Sequence, residues 1–129
     1  MGYESRIYVV EHNYLKNAAT GRELVHNDVI AAYDLCKLGN GTLAQEFYRT
    51  FREEIVGTLP VGENDEKEDC YGDTLKWASV SDVLHILYEM ENSEELGDYR
   101  RIHPALSMLQ GFLDSESEYK NLKVIFYGY

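Results

Sequence analysis

The sequence predicts an α+β domain in which a small, mainly antiparallel sheet of three to four strands is covered by about three helices. β-branched and aromatic runs stand at both ends of the chain, and apolar residues recur at helical spacing through its middle. The resulting order, ββα, a short β, then ααβ, argues for an α+β domain with a small, mainly antiparallel sheet covered by helices. At 129 residues the chain has the size of one hydrophobic core, so a single domain over 1–129 is expected.

Residues 4–12 (Glu-Ser-Arg-Ile-Tyr-Val-Val-Glu-His) form the first strand, and residues 28–36 alternate Val29, Ala31, Tyr33, Leu35 against Ile30, Ala32, Asp34, Cys36 as the second. The polar stretch Asn17 to Glu23, with Gly21 in it, suits a flexible loop between antiparallel neighbours. Gly39-Asn40-Gly41 ends the second strand, and Thr42 with Gln45 three residues later has the form of a capping box. Leu43, Phe47, Phe51 and Ile55 then recur every four residues, predicting one helix that runs until Gly57 and Pro60 stop it. Val61 to Asp73 is charged and reads as an exposed loop, with a short strand at Thr74–Ala78. Ser79 or Ser81 caps a second helix with Val83, Leu84, Leu87 and Met90 inward, ending in the polar run Glu91 to Glu95. Asp98 is the cap expected for a third helix, with Pro104 in its first turn and Leu106, Leu109, Phe112 and Leu113 buried. Asn121 to Tyr127 closes the chain as a strand, with Leu122, Val124, Phe126 on one face and Lys123, Ile125, Tyr127 on the other. Unless it is central, that strand leaves an aromatic edge on which a homodimer can form.

Charge is distributed unevenly. Between Glu53 and Glu95 thirteen acids face only Lys67 and Lys76, a net of −11 that equals the charge of the whole chain. Such a surface repels nucleic acid and anionic lipid and attracts basic protein. No apolar run approaches the roughly 20 residues needed to span a bilayer. Two cysteines make no disulfide framework, and no charged-then-apolar leader opens the chain, so a reduced cytoplasmic setting is expected.

Catalytic signals are absent. The sequence holds no phosphate-binding glycine loop, no nucleophile elbow and no paired-cysteine zinc spacing, so neither an enzyme nor a cofactor is expected. Asp82, His85 and Glu89 share a helical face but read as a solvated ion-pair row. Cys70 lies between Asp69 and Asp73, whose carboxylates oppose a thiolate, and Cys36 sits in a strand pattern as a small buried side chain. No frame from Glu63 to Asp73 supplies both the sixth-position glycine and the twelfth-position glutamate of a calcium loop.

Two binding surfaces remain. The first is the acidic segment, with Glu63, Asp65, Glu66, Glu68, Asp69 and Asp73 as its charges and Tyr71 and Trp77 as aromatic anchors of a partner contact. Stretched out, Glu63 to Asp73 spreads its net −5 over roughly 36 Å, one charge per about 7 Å against one per about 1.7 Å in duplex DNA. Mimicry of nucleic acid therefore requires Glu53, Glu54, Glu89, Glu91, Glu94 and Glu95 to converge from the flanking helix ends. The second surface is Tyr99, Arg100, Arg101 and His103, suited to sequestering a phosphate-bearing signal nucleotide.

Tyr3-Glu4-Ser5-Arg6-Ile7-Tyr8-Val9-Val10, Asp69-Cys70-Tyr71-Gly72-Asp73 and Tyr127-Gly128-Tyr129 resemble segments of small acidic accessory proteins carried by bacteriophages and prophages. The resemblance implies a host-cell context in which such proteins inhibit bacterial defence, including nucleic-acid-guided nucleases, by occupying a basic surface. The expectation is an anti-CRISPR-like inhibitor whose partner is a basic, nucleic-acid-binding defence effector.

Overall fold

A computed structural model describes residues 4–16, 18–36, 38–39, 41–93 and 102–129. Seven strands and three helices follow in the order β1 (Ser5–Lys16), β2 (Glu23–Cys36), α1 (Thr42–Thr50), β3 (Glu53–Glu54), β4 (Leu59–Val61), β5 (Asn64–Glu66), β6 (Lys76–Ala78), α2 (Val80–Glu91), α3 (Ile102–Asp114) and β7 (Leu122–Gly128). The architecture is α+β as expected, but the sheet is larger than three to four strands. Five antiparallel strands lie in the order β2-β1-β7-β6-β3, and β4 with β5 forms a separate two-stranded sheet.

The closing strand lands in the middle, with Ile7 opposite Phe126 on one side and Trp77 opposite Ile125 on the other. A central strand is covered on both faces, which accounts for its apolar run, and the aromatic dimer edge expected there does not exist. Alternation along β1 and β7 sorts the core into two layers. Ile7, Val9, Leu122 and Val124 pack under the helices with Phe47, Leu87, Met90, Ile102 and Leu109. Tyr8, Val10, Ile125 and Tyr127 face the other way and are covered by Leu59 and Leu75.

The helices follow the expected stripes except at two ends. Ser79 caps α2, its Oγ accepting from the Asp82 amide at 3.1 Å, and Val83, Leu84, Leu87 and Met90 are buried. Pro104 occupies the first turn of α3, where its missing N–H costs nothing, while Asp98 lies outside the described residues. The Thr42–Gln45 capping box does not form: Gly41 is the N-cap, the Gln45 amide donates to its carbonyl at 3.1 Å, and Thr42 already lies inside the helix. The same helix ends at Thr50 rather than near Gly57. Thr50 Oγ1 donates to the Glu46 carbonyl at 2.9 Å and Arg52 Nε to that of Arg49 at 3.1 Å, and Phe51 is extended. Phe51 still keeps its ring 5.3 Å from that of Phe47, but Ile55 crosses to the second face.

Candidate functional site

The acidic segment is a folded layer over the second face of the sheet. Gly62, at φ +63, and Glu63 make a two-residue turn between Val61 and Asn64, joining β4 to β5. The backbone then runs strand beside strand: the Ile55 amide donates to the Leu75 carbonyl at 3.0 Å, the Leu75 amide to that of Lys67 at 2.9 Å, and Glu68 bridges Thr74. Leu59 and Leu75 are buried under this ladder, so the layer is held by its own apolar plugs.

Asn27 of β2 fastens the chain that enters the layer. It is 4% exposed, and its Nδ2 donates to the carbonyls of Val56 at 2.9 Å and Thr58 at 3.0 Å. Two carbonyl partners fix the amide orientation, so Asn27 Oδ1 must accept from His12 Nδ1 at 2.8 Å. Gly57, at φ +82, lies against Val25, where an added Cβ would meet the Val25 carbonyl oxygen at 3.1 Å.

The predicted partner-binding residues all belong to this layer or its margin. Glu63 and Asp65 stand exposed at the hairpin tip, Glu66 is half-buried on β5, and Glu68 is exposed beside Thr74. Asp69 Oδ1 accepts from the amides of Tyr71 at 2.8 Å and Asp73 at 3.1 Å, so this carboxylate shapes its own turn. Tyr71 is 53% exposed at the apex. Trp77 is half-buried on the second-face core, with Lys123 Nζ 4.1 Å from its ring centroid and burial lowering that ammonium's pKa. Cys70 Sγ meets Tyr127 Oη at 3.1 Å, and this contact, with burial, raises the pKa of the tyrosine hydroxyl.

Of the acids beyond the loop that mimicry requires, the described ones do not all converge on it. Glu53 and Glu54 join the layer through β3, opposite Trp77 and Lys76. Asp82 and Glu89 instead border a groove of about 510 Å³ shared with Arg49 and Arg52, and Glu89 pairs with His85 at 3.1 Å. Glu91 pairs with His103 Nδ1 at 2.7 Å, while Glu94 and Glu95 lie outside the described residues. Counted with the adjoining sheet strands β3 and β6, the segment from Glu53 to Ala78 carries eight carboxylates against Lys67 and Lys76, a net of −6.

At one margin the layer and α1 enclose a notch of about 450 Å³. Glu54, Asp69 and Asp73 contribute carboxylates, Lys76 an ammonium, and Tyr48, Phe51 and Phe126 aromatic rings. The rings pack edge to face or tilted, with Tyr48 and Phe51 each within 5.6 Å of Phe126. Burial pushes the Tyr48 hydroxyl above its ordinary value, so the ring is neutral at physiological pH. Among the described residues no ion pair engages Glu54, Asp73 or Lys76. The notch was invisible in the sequence because its rings and its acids come from segments far apart in the chain.

The second expected site is only partly within view. Tyr99, Arg100 and Arg101 lie outside the described residues, and His103 is paired with Glu91 beside a groove that Asp114 also borders. That acidic company opposes a phosphate. Among the described residues no group of three or more acidic, histidine or cysteine side chains is placed to hold a metal ion, and no helix is long and apolar enough to cross a membrane. Comparison with protein-family models, curated proteins and solved structures found no match to the chain.

Proposed function

We propose that this chain is a binding protein, not an enzyme, and that its acidic layer docks on the basic nucleic-acid-binding surface of a bacterial defence effector, as a stoichiometric, anti-CRISPR-like inhibitor in the host cytoplasm. What carries the reading is the fold of the acidic segment. Asp73 returns beside Asp69, whose amide donates to its carbonyl at 2.9 Å, so the length that matters runs only from Glu63 to Asp69. With Asp73 folded back on it, the net −5 is then spread over roughly 23 Å, about one charge per 4.6 Å, roughly 1.6 times the density of the stretched chain. Glu53 and Glu54 on the adjoining strand add to it. Tyr71, exposed at the centre of the charged turn, supplies the rigid contact area that interfaces favour.

The test is capture of protein from a bacterial lysate by the immobilised chain at low and high salt, followed by competition with duplex DNA. A partner held through its nucleic-acid surface is retained at low salt, lost at high salt and displaced by DNA. The triple reversal Glu63→Lys, Asp65→Lys, Glu68→Lys should abolish capture with circular dichroism unchanged. Asp69 is left intact because it holds its turn. Capture that survives both the reversal and the DNA refutes the reading.

A further inference from the structure

We propose that the notch formed by Glu54, Asp69, Asp73, Tyr48, Phe51 and Phe126 receives one arginine side chain of the partner. The proposal rests on the reading of the acidic layer as a protein-docking face and gives that face a point of recognition. A guanidinium is planar, permanently charged and weakly hydrated, and it is satisfied by carboxylates at its edge together with an aromatic surface against its plane. The notch offers both, the aromatic surface coming from the half-buried rings of Tyr48 and Phe126 while Phe51 backs them from the core. Its carboxylates come from β3 and from the two limbs of the Asp69–Asp73 turn, while its rings come from α1 and β7.

The supply of acceptors is real. Neither the Glu54 nor the Asp73 carboxylate has a hydrogen-bond or ion-pair partner among the described residues, and Asp69 commits only Oδ1 to its turn. Lys76 offsets one of the three charges, leaving the notch at −2. Space matters as much as charge. About 450 Å³ lies in the lower part of the roughly 300–1,000 Å³ range of ligand sites, enough for one long side chain and some of its neighbours.

The chain already uses this chemistry internally. Arg6 pairs with Asp34 through Nε, donates from one terminal nitrogen to the Tyr8 hydroxyl at 3.1 Å, and lies 4.5 Å from the Tyr129 ring centroid. That arginine is satisfied by a carboxylate and aromatic rings together. The notch presents the same set of groups without the arginine.

The experiment is an amide-resolved NMR titration of the full chain with N-acetyl-arginine amide, and with its lysine and citrulline counterparts. Arginine should give saturating shifts at Glu54, Asp69–Lys76 and Phe126. It should bind about fivefold more tightly than lysine, which lacks the plane, and neutral citrulline should give no saturation. Glu54→Gln with Asp73→Asn, two exposed positions whose carboxylates have no hydrogen-bond or ion-pair partner among the described residues, should weaken arginine binding about fivefold or more while leaving amide dispersion elsewhere unchanged. Equal binding of arginine and citrulline, equal binding of arginine and lysine, or shifts as large at Glu63–Asp65 as at the notch would each overturn the proposal. Loss of arginine binding with DNA-competed capture intact overturns the notch alone. Failure of capture with the titration intact overturns the wider reading and leaves the notch standing.

Discussion

Asn27 ties the acidic layer to the sheet, and replacing it separates the layer's anchoring from its charge. Asn27→Ala removes two donated hydrogen bonds and one accepted one at a site only 4% exposed, leaving the Val56 and Thr58 carbonyls and the His12 ring without their partner. A net hydrogen bond is worth about 1 kcal/mol and a stranded buried group costs about 1–3 kcal/mol, so partial hydration of the new space puts the loss at about 2–4 kcal/mol. Urea unfolding followed by fluorescence of the sole tryptophan, Trp77, reads the second-face core, while far-UV circular dichroism reads the helices on the first. With an m-value of about 2 kcal/mol per M, the middle of the usual urea range, the midpoint should fall by about 1–2 M in the fluorescence trace.

Asn27→Asp sharpens the test. The new carboxylate keeps the acceptor for His12 but faces two carbonyls with no donor to offer. Its pKa is therefore raised in the fold, and its protonated form regains one donated bond. The variant should be less stable than Asn27→Ala at neutral pH and should approach it as pH falls toward about 4, the ordinary aspartate value. A loss under about 1 kcal/mol for both variants, or a difference between them that ignores pH, refutes the assignment of Asn27 as the anchor.

Gly57→Ala forces a β-carbon into a backbone at φ +82, within 3.1 Å of the Val25 carbonyl oxygen and 3.2 Å of its side chain; thermal unfolding should show a loss of about 1–3 kcal/mol. A neutral result would mean that the crossing segment moves freely over β2. The hydroxyls of Tyr127, Tyr48 and Tyr129 all have raised pKa values in the fold, the first through Cys70 and burial and the other two chiefly through burial. The neutral phenols therefore contribute stability that is fully present below the unfolded value of about 10 and is lost as pH rises through the higher folded values. Tyr127→Phe should cost about 0.5–1.5 kcal/mol at neutral pH and make the alkaline decline shallower, as melts from pH 7 to 11 would show; an unchanged slope contradicts the linkage.

The first-face core was legible because its signals are local. Strand alternation in β7 sorted its side chains onto the correct two faces, and the 3.6-residue spacing of α2 and α3 put their core side chains inward, without knowledge of any partner. The stripe of α1 was legible only as far as Phe51. Spacing cannot register that Thr50 and Arg52 draw on the last carbonyls, or that Glu53–Glu54 finds an edge next to β6 only after the chain reverses. Strand position was hidden too: no pattern within residues 122–128 states that β7 lies between β1 and a three-residue β6.

The acidic layer shows why composition misleads about order. Charge density across Glu63–Asp73 reads as an open loop, yet a few residues outweigh it. The Gly62-Glu63 pair between Val61 and Asn64 is a hairpin signal in its own right, and Asp69 with Gly72 is a turn signal. Leu59 and Leu75, each at least 99% buried, supply the burial that a solvated loop lacks. Eight carboxylates repel one another, and every one that folding brings closer adds to that cost. A segment that gathers them on a ladder of backbone hydrogen bonds, while the acids of α2 border a groove with Arg49 and Arg52, concentrates negative charge that Lys67 and Lys76 offset only in part. A basic partner relieves the remaining repulsion, so the layer should gain stability on binding one, in proportion to the charge that partner covers.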